Sequence, residues 1–489
     1  MASQFLVTKS IDELRQQEGA GNELRRALSA TQLTLLGIGG IIGTGIFVLT
    51  GTAAANYAGP ALALSFVLAG VGCTLAGLCY AEFAAMIPVS GSAYSYSYAT
   101  LGEGVAWFIG WNLVLEYLLA VATVSVGWSG YAVSLLNQIG VHIPEALSSA
   151  PLRSVGETLH IVPTGAIVNV PAVLIVAAIA TICYIGIKQS ASFNSVIVVI
   201  KVTVVVLFIL FGVSYINSAN WHPFIPENAG HLGKFGYSGI IGGAGVIFFA
   251  YIGFDAVSTA AQESKNPQRD MPIGILASLI ICTILYVIVA LVLTGMANYR
   301  ELDVAAPVAY ALDKYPALWW LGGVVKLGAV AGMTSVMLVM TIAQARIFFA
   351  MARDGLLPPF FGRVHPRFRT PSTGTVVTGL SAALIGGLFP VKMLAELVSI
   401  GTLSAFVTVC IGVLILRRTR PDLPRPFRAP LPWVTCIGGA LVCFLMMLFL
   451  GPPNWKRLVA WTAIGLLIYL FYGRRHSRHS RPRADAPPR

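Results

Sequence analysis

The chain reads GIGGIIGTGIF from Gly37 to Phe47. Five glycines fall between Gly37 and Gly45, and each destabilises a helix by about 1 kcal/mol relative to alanine. Such a run invites a break. In lipid, a break is tolerated only where the freed backbone groups are buried in protein or face a wet cavity. A half-helix beginning there presents unpaired N–H groups, which suit a carboxylate. A second reading fits the same letters. Gly39 and Gly43 are four residues apart, the spacing that lets two helices pack closely.

A second run separates these readings by its position. Residues 242–255 read GGAGVIFFAYIGFD, again glycine-rich within an apolar stretch. Counted along the chain, the two runs fall in the first and sixth apolar segments. Interrupted helices at matching places in two sets of five are the pattern of an inverted-repeat secondary transporter, with its substrate site between the halves. The two halves share few letters, so this inference rests on position.

The rest of the chain agrees. Its 489 residues are 56% hydrophobic and 11% charged, with mean hydropathy +0.78. Soluble domains carry about 25% charged residues, so a soluble enzyme, a disordered chain and a fibrous repeat are excluded. About twelve apolar runs approach or reach span length. They lie near 31–55, 60–87, 104–138, 170–187, 192–216, 238–262, 273–297, 317–351, 373–390, 394–416, 433–450 and 456–472. The expected organisation is an N-terminal cytoplasmic segment (1–30), a first repeat (31–216), a second repeat (238–416), two further spans (433–472) and a basic tail (473–489).

The net charge of +12 is a matter of topology. With both termini inside, about 22 of the 32 Lys and Arg lie on the inner side and about 7 outside, a positive-inside bias. This reads as a multi-pass plasma (inner) membrane protein whose basic face meets anionic lipid, and not as a nucleic-acid binder. The charged first 30 residues do not fit an apolar signal core. Ser10 and Glu13 fit a capping box opening a short polar helix, and a disordered tail fits this segment equally well. Another short helix is expected near Leu152–Leu159, and a disordered tail after Tyr472. The seven cysteines sit in apolar runs without CxxC spacing and read as small hydrophobes. No HExxH, phosphate loop, nucleophile elbow or zinc spacing occurs. The chain therefore reads as no enzyme, with no cofactor and no metal site. A small membrane subunit is not legible.

Four segments in order carry a family resemblance: GIGGIIGTGIF, YAEFAAMIPVSGSAYSYSY, FFAYIGFDAVSTAAQESKNPQRDMPIGI and ARIFFAMARDGLLP. The sequence resembles the amino acid–polyamine–organocation transporters, and within them the cationic amino acid transporter branch. The resemblance implies an all-α integral membrane fold of LeuT type. That fold has a 5+5 inverted repeat, broken helices 1 and 6, and two C-terminal helices. It implies that an L-amino acid places its carboxylate on N–H groups around Gly43, Thr44 and Gly45. The ammonium would meet carbonyls at Ile41 and near Phe249, Ala250 and Ile252. Tyr251 or Phe254 would close over the ligand.

Charges at membrane depth are functional candidates by default. Lys201 lies in the middle of SFNSVIVVIKVTVVVLFIL, too deep to snorkel. An amine able to shed its proton there can carry one through a transport cycle, and the resemblance implies proton coupling through Lys201. The alternative is a fixed strut bonded to carbonyls of the first span. Glu116, in WNLVLEYLLA, is a candidate to read a cationic substrate side chain, or else a helix-to-helix hydrogen bond. Glu82 is expected to join Arg346, Arg353 and Asp354 in an inner ion-pair gate, and Asp255 to cap the second half of the sixth helix. Lys326 and Glu396 receive no role. The resulting expectation is proton-coupled uptake of amino acids, including arginine and lysine, by alternating access. The alternative is an amino acid or polyamine exchanger without net proton movement.

Overall fold

The computed structural model describes residues 5–9, 28–87, 92–154, 161–186, 191–228 and 230–478. Every one of the twelve apolar runs is helical. The first is in two pieces, α1 (Ala30–Ile41) and α2 (residues 45–58). There follow α3 (Leu62–Met86), α4 (Ser92–Thr100), α5 (Glu103–Gln138), α6 (Val170–Ile185) and α7 (Ala191–Gly212). The sixth run is also in two pieces. α8 (Gly236–Ile247) is prolonged by a 3-10 turn over Phe248–Tyr251, and the 3-10 segment α9 (Asp255–Glu263) follows. Then come α10 (Pro267–Met296), α11 (Pro307–Asp313), α12 (Trp319–Arg353), α13 (Ser372–Leu388) and α14 (Val391–Thr419). The last two are α15 (Trp433–Phe449) and α16 (Pro452–His476), folded back on each other by 112°.

Seven of the described helical stretches are individually long and apolar enough to cross a membrane, or eight if the bent pair α15/α16 is one span. α5 has 36 residues, about 54 Å at 1.5 Å per residue, so it projects beyond a 30 Å hydrocarbon core or tilts within it. The architecture is nearly all-helical and of the LeuT-like membrane type.

Both breaks are directly visible. α1 opens with a capping box, Ser29 accepting from the Gln32 N–H while the Gln32 side chain accepts from the Ser29 N–H. It ends at Ile42, whose ψ of 102° is extended. In the sixth run Ile252 turns extended at ψ 135°, and Gly253 takes φ +115°, a conformation that favours glycine. The breaks cross backbone to backbone. A Cβ on Gly253 would lie 2.7 Å from the Gly40 carbonyl oxygen, and one on Gly45 would lie 2.3 Å from Ala250 Cα. The glycines therefore serve both readings at once, breaking the helices and letting the breaks touch.

Packing repeats with an offset of five runs. α3 lies on α10, α5 on α12 and α6 on α13, each helix against its counterpart. Cross-pairs also match: α5–α14 with α12–α7, and α10–α1 with α3–α8.

Polar contacts tie the helices together at both ends beyond the breaks. At one end α11 seats on α2 and α12, fixed by Lys326 Nζ donating to Asp313 Oδ2 at 2.9 Å. At the end carrying the termini, Lys9 Nζ pairs with Asp354 Oδ1 at 2.6 Å, and the Tyr94 hydroxyl donates to Asp354 Oδ2 at 2.8 Å.

Several expectations need correction. Glu82 does not meet Arg346, Arg353 and Asp354. It is held by Arg417, by Arg425 at 3.5 Å and by the Ala429 N–H at 2.9 Å. α3 packs on α14, so the partner comes from the end of α14 and the loop after it. Asp255 is not an N-cap. It lies inside α9, and its carboxylate accepts from the Tyr117 hydroxyl. In place of a helix near Leu152–Leu159, Leu152–Ser154 forms a strand paired antiparallel with Ile161–Pro163. Ile161 and Val162 favour extended backbone, and residues 155–160 lie outside the described part. α16 continues past Tyr472 to His476, whereas residues 479–489, Ser10 and Glu13 lie outside the described residues. The seven cysteines are buried and free.

Candidate functional site

The site grows from the two breaks. α2 restarts after Gly43, whose carbonyl accepts the Phe47 N–H at 3.3 Å. The first-turn N–H groups of Thr44, Gly45 and Ile46 therefore have no intrahelical carbonyl behind them. They form the positive end of a helix dipole, suited to an anion. Across from them, the break in the sixth run brings Phe249 and Ile252 to the same space, and carbonyls freed at such a break suit a cation.

A small cavity of about 10 Å³ sits between the breaks, about the space of one water. Gly40, Ile41, Gly43, Thr44 and Gly45 line one side, and Phe249 and Ile252 another. The remaining wall is apolar: Ala120 and Val124 from α5, Val336 and Met340 from α12. Admitting an amino acid requires these walls to separate.

Ile41, Gly43, Thr44, Gly45, Phe249 and Ile252 therefore line one cavity. Ala250 packs against Gly45 from behind. Three other expected residues lie elsewhere. Tyr251 turns away, donating its hydroxyl to the Phe66 carbonyl at 2.9 Å, with its ring against Phe66 and Tyr286. Phe254 packs on Tyr80 and Phe406. Glu116, 1% exposed, is one helical turn from Ala120 but does not line the cavity. It lies near Thr402 and Asp255, and its Oε1 has no hydrogen-bond partner among the described residues.

Lys201 reaches the first break from α7. Its Nζ donates to the Gly39 carbonyl at 2.7 Å and the Ile42 carbonyl at 3.2 Å, and the side chain is fully buried. The opposite wall is Gly332 of α12, where a Cβ would come within 3.2 Å of the lysine stem.

Sequence reasoning missed Tyr286. Its hydroxyl lies 3.0 Å from the Ile41 carbonyl and 3.1 Å from the Ala250 carbonyl, one from each break. The signal was a lone phenol within IICTILYVIV, since a hydroxyl at membrane depth needs a partner. The apolar wall from α5 and α12 was missed as well. Valine, alanine and methionine there do not differ in pattern from core residues.

The chain matches known proteins over most of its length. The amino acid permease family model covers residues 28–472. The methylthioribose transporter of Bacillus subtilis (strain 168) is 48% identical over 472 residues, 96% of this chain and 98% of that one. The branched-chain amino acid permease BcaP of the same organism is 48% identical over 473 residues, with the same coverage. The vacuolar cationic amino acid transporter 4 of Arabidopsis thaliana is 37% identical over 416 residues, 85% of this chain and 67% of that one. A family match across both broken helices and near-complete alignment with bacterial permeases lead to one assignment: the chain belongs to the amino acid permease family of the amino acid–polyamine–organocation superfamily.

Proposed function

We propose that this permease takes up amino acids with aliphatic side chains, coupled to protons, by alternating access. The observation that carries the reading is the division of the cavity. Main-chain N–H groups at Thr44 and Gly45 suit the carboxylate. Carbonyls of the two breaks, at Ile41 and near Phe249, Ala250 and Ile252, suit the ammonium. The side chain is left among Ala120, Val124, Val336 and Met340. A guanidinium in that last compartment would be buried without a partner, a cost of several kcal/mol. The relation to a branched-chain permease points the same way. Lys201 is the coupling group, because its ammonium holds two carbonyls of the first break. Loss of its proton weakens that hold, because a neutral amine donates more weakly than an ammonium, and eases the movement of α1.

A second reading keeps the cationic substrates, arginine and lysine. Glu116 favours it, with an unpartnered carboxylate oxygen buried one turn beyond Ala120. Exchange without net proton movement remains the mechanistic alternative, with Lys201 as a strut. In the membrane we place twelve crossings, the repeats at 31–216 and 238–416, both termini in the cytoplasm, and the basic loops against anionic lipid.

Counterflow in proteoliposomes tests the substrate class without reference to coupling. Vesicles loaded with unlabelled leucine should accumulate labelled leucine transiently, and external isoleucine or valine should compete far better than arginine. Equal or stronger competition by arginine would transfer the assignment to the second reading.

A further inference from the structure

α16 lines no part of the cavity, yet it connects to α2 through a chain of polar contacts. At the end opposite the termini, the Tyr57 hydroxyl donates to Glu396 Oε1 at 2.6 Å. Glu396 Oε2 accepts from Asn454 Nδ2 at 3.1 Å, and Arg457 lies 3.9 Å away. Arg457 also donates to Asn454 Oδ1 at 2.8 Å. Lys392 Nζ sits 5.0 Å from the centre of the Tyr57 ring. Tyr57, Glu396 and Asn454 are buried, at 9%, 9% and 2% exposure.

Tyr57 is in the last turn of α2, the half-helix whose first turn faces the cavity. Its carbonyl is engaged as well, accepting the Phe235 N–H at 2.6 Å next to the start of α8. One residue thus ties the far end of α2 to α14, to α16 through Glu396, and to the segment leading into α8. Along its length α16 is anchored to α5. Trp107 Nε1 donates to the Gly465 carbonyl at 3.1 Å, and Trp111 Nε1 to the Trp461 carbonyl at 2.8 Å, with the Trp111 and Trp461 rings stacked at 4.4 Å. α5 in turn supplies Ala120 and Val124 to the cavity wall.

We propose that Glu396 and Asn454 are positioning residues for transport, fixing α2 through Tyr57 so that its first turn is held against the anchored α5 wall. α16 is then a strut that makes the outer half of the first span part of the rigid frame while the cavity is closed, and Glu396 is the joint that releases when it opens outward. A buried carboxylate with three partners is suited to this, because removing one partner leaves a charge to be paired again. The inference uses the proposed substrate reading only in placing a carboxylate at the first turn of α2.

Hydrogen–deuterium exchange of the full-length protein in nanodiscs, with no substrate added, tests the strut apart from substrate and coupling. Glu396→Leu and Asn454→Leu should each accelerate exchange in residues 45–58 and leave α6 and α13 as in the parent. Transport assays should show KM for external leucine raised about tenfold or more with kcat held, the size of one hydrogen bond to a charged group. Glu396→Gln, whose amide oxygen still accepts from Tyr57, should restore both readouts in part. Unchanged exchange at 45–58 in both leucine variants would overturn the proposal. So would exchange raised throughout the molecule, or a Gln variant no better than Leu. If exchange behaves as expected while leucine is not carried, the strut stands and the substrate reading fails.

Discussion

Replacing Lys201 by methionine removes the ammonium that holds the Gly39 and Ile42 carbonyls and keeps a stem of similar length. Two buried carbonyls then lose a partner, at about 1–3 kcal/mol each. Substantial thermal destabilisation is expected, so folding must be checked by melting in detergent. The functional effect is separate. With one proton carried per substrate and no membrane potential, a one-unit pH gradient supplies about 1.4 kcal/mol, a tenfold accumulation. The parent protein in sodium-free proteoliposomes, acid outside, should concentrate leucine about tenfold. Lys201→Met should bring the ratio to one and still perform leucine counterflow, which needs no net proton movement. The counterflow arm shows that the variant is folded and binds substrate. A variant that concentrates leucine as well as the parent would refute coupling through this lysine.

Other substitutions probe other parts of the account. Tyr286→Phe strips the hydroxyl shared by Ile41 and Ala250 and should lower thermal stability by about 1–3 kcal/mol, read as a fall in melting temperature. Gly45→Ala drives a Cβ to 2.3 Å from Ala250 Cα, an overpacking of main chain that should abolish transport even where the protein is still produced. Glu116→Gln should change leucine uptake by less than about twofold if the side-chain compartment is apolar, because Glu116 does not line the cavity; a selective loss of arginine uptake would support the cationic reading. Glu82→Gln keeps the shape but removes the charge facing Arg417 and Arg425. Breaking this buried group should cost about 3–5 kcal/mol, measurable as a lower melting temperature and increased protease access near residues 420–430.

The parts legible in the sequence were those written in local composition. Glycine density located both breaks, and apolar run length located the long helices to within several residues. A charged lysine amid valines and isoleucines stood out because lipid makes such a group costly. What stayed hidden was rotation about helix axes and pairing across long separations. Glu82 and Arg417 are 335 residues apart, and which basic residue meets Glu82 depends on which face of α3 meets α14. Glu116 carries the letter of a binding residue, yet its place on α5 sets it one turn beyond the cavity wall, which Ala120 and Val124 form. Tyr251 and Tyr286 look alike in sequence. Only the crossing of the breaks determines that one bonds Phe66 and the other joins the two breaks. Glu396 received no role from its local sequence, because its partners Asn454 and Arg457 come from α16.

The most direct test of the central claim is labelled leucine uptake into sodium-free proteoliposomes containing the purified protein, compared with and without an acid-outside pH gradient. The account predicts leucine concentrated above equilibrium only with the gradient, and abolition of that accumulation by a protonophore. Leucine flux that ignores the gradient and depends on internal amino acid would contradict it and make the protein an exchanger.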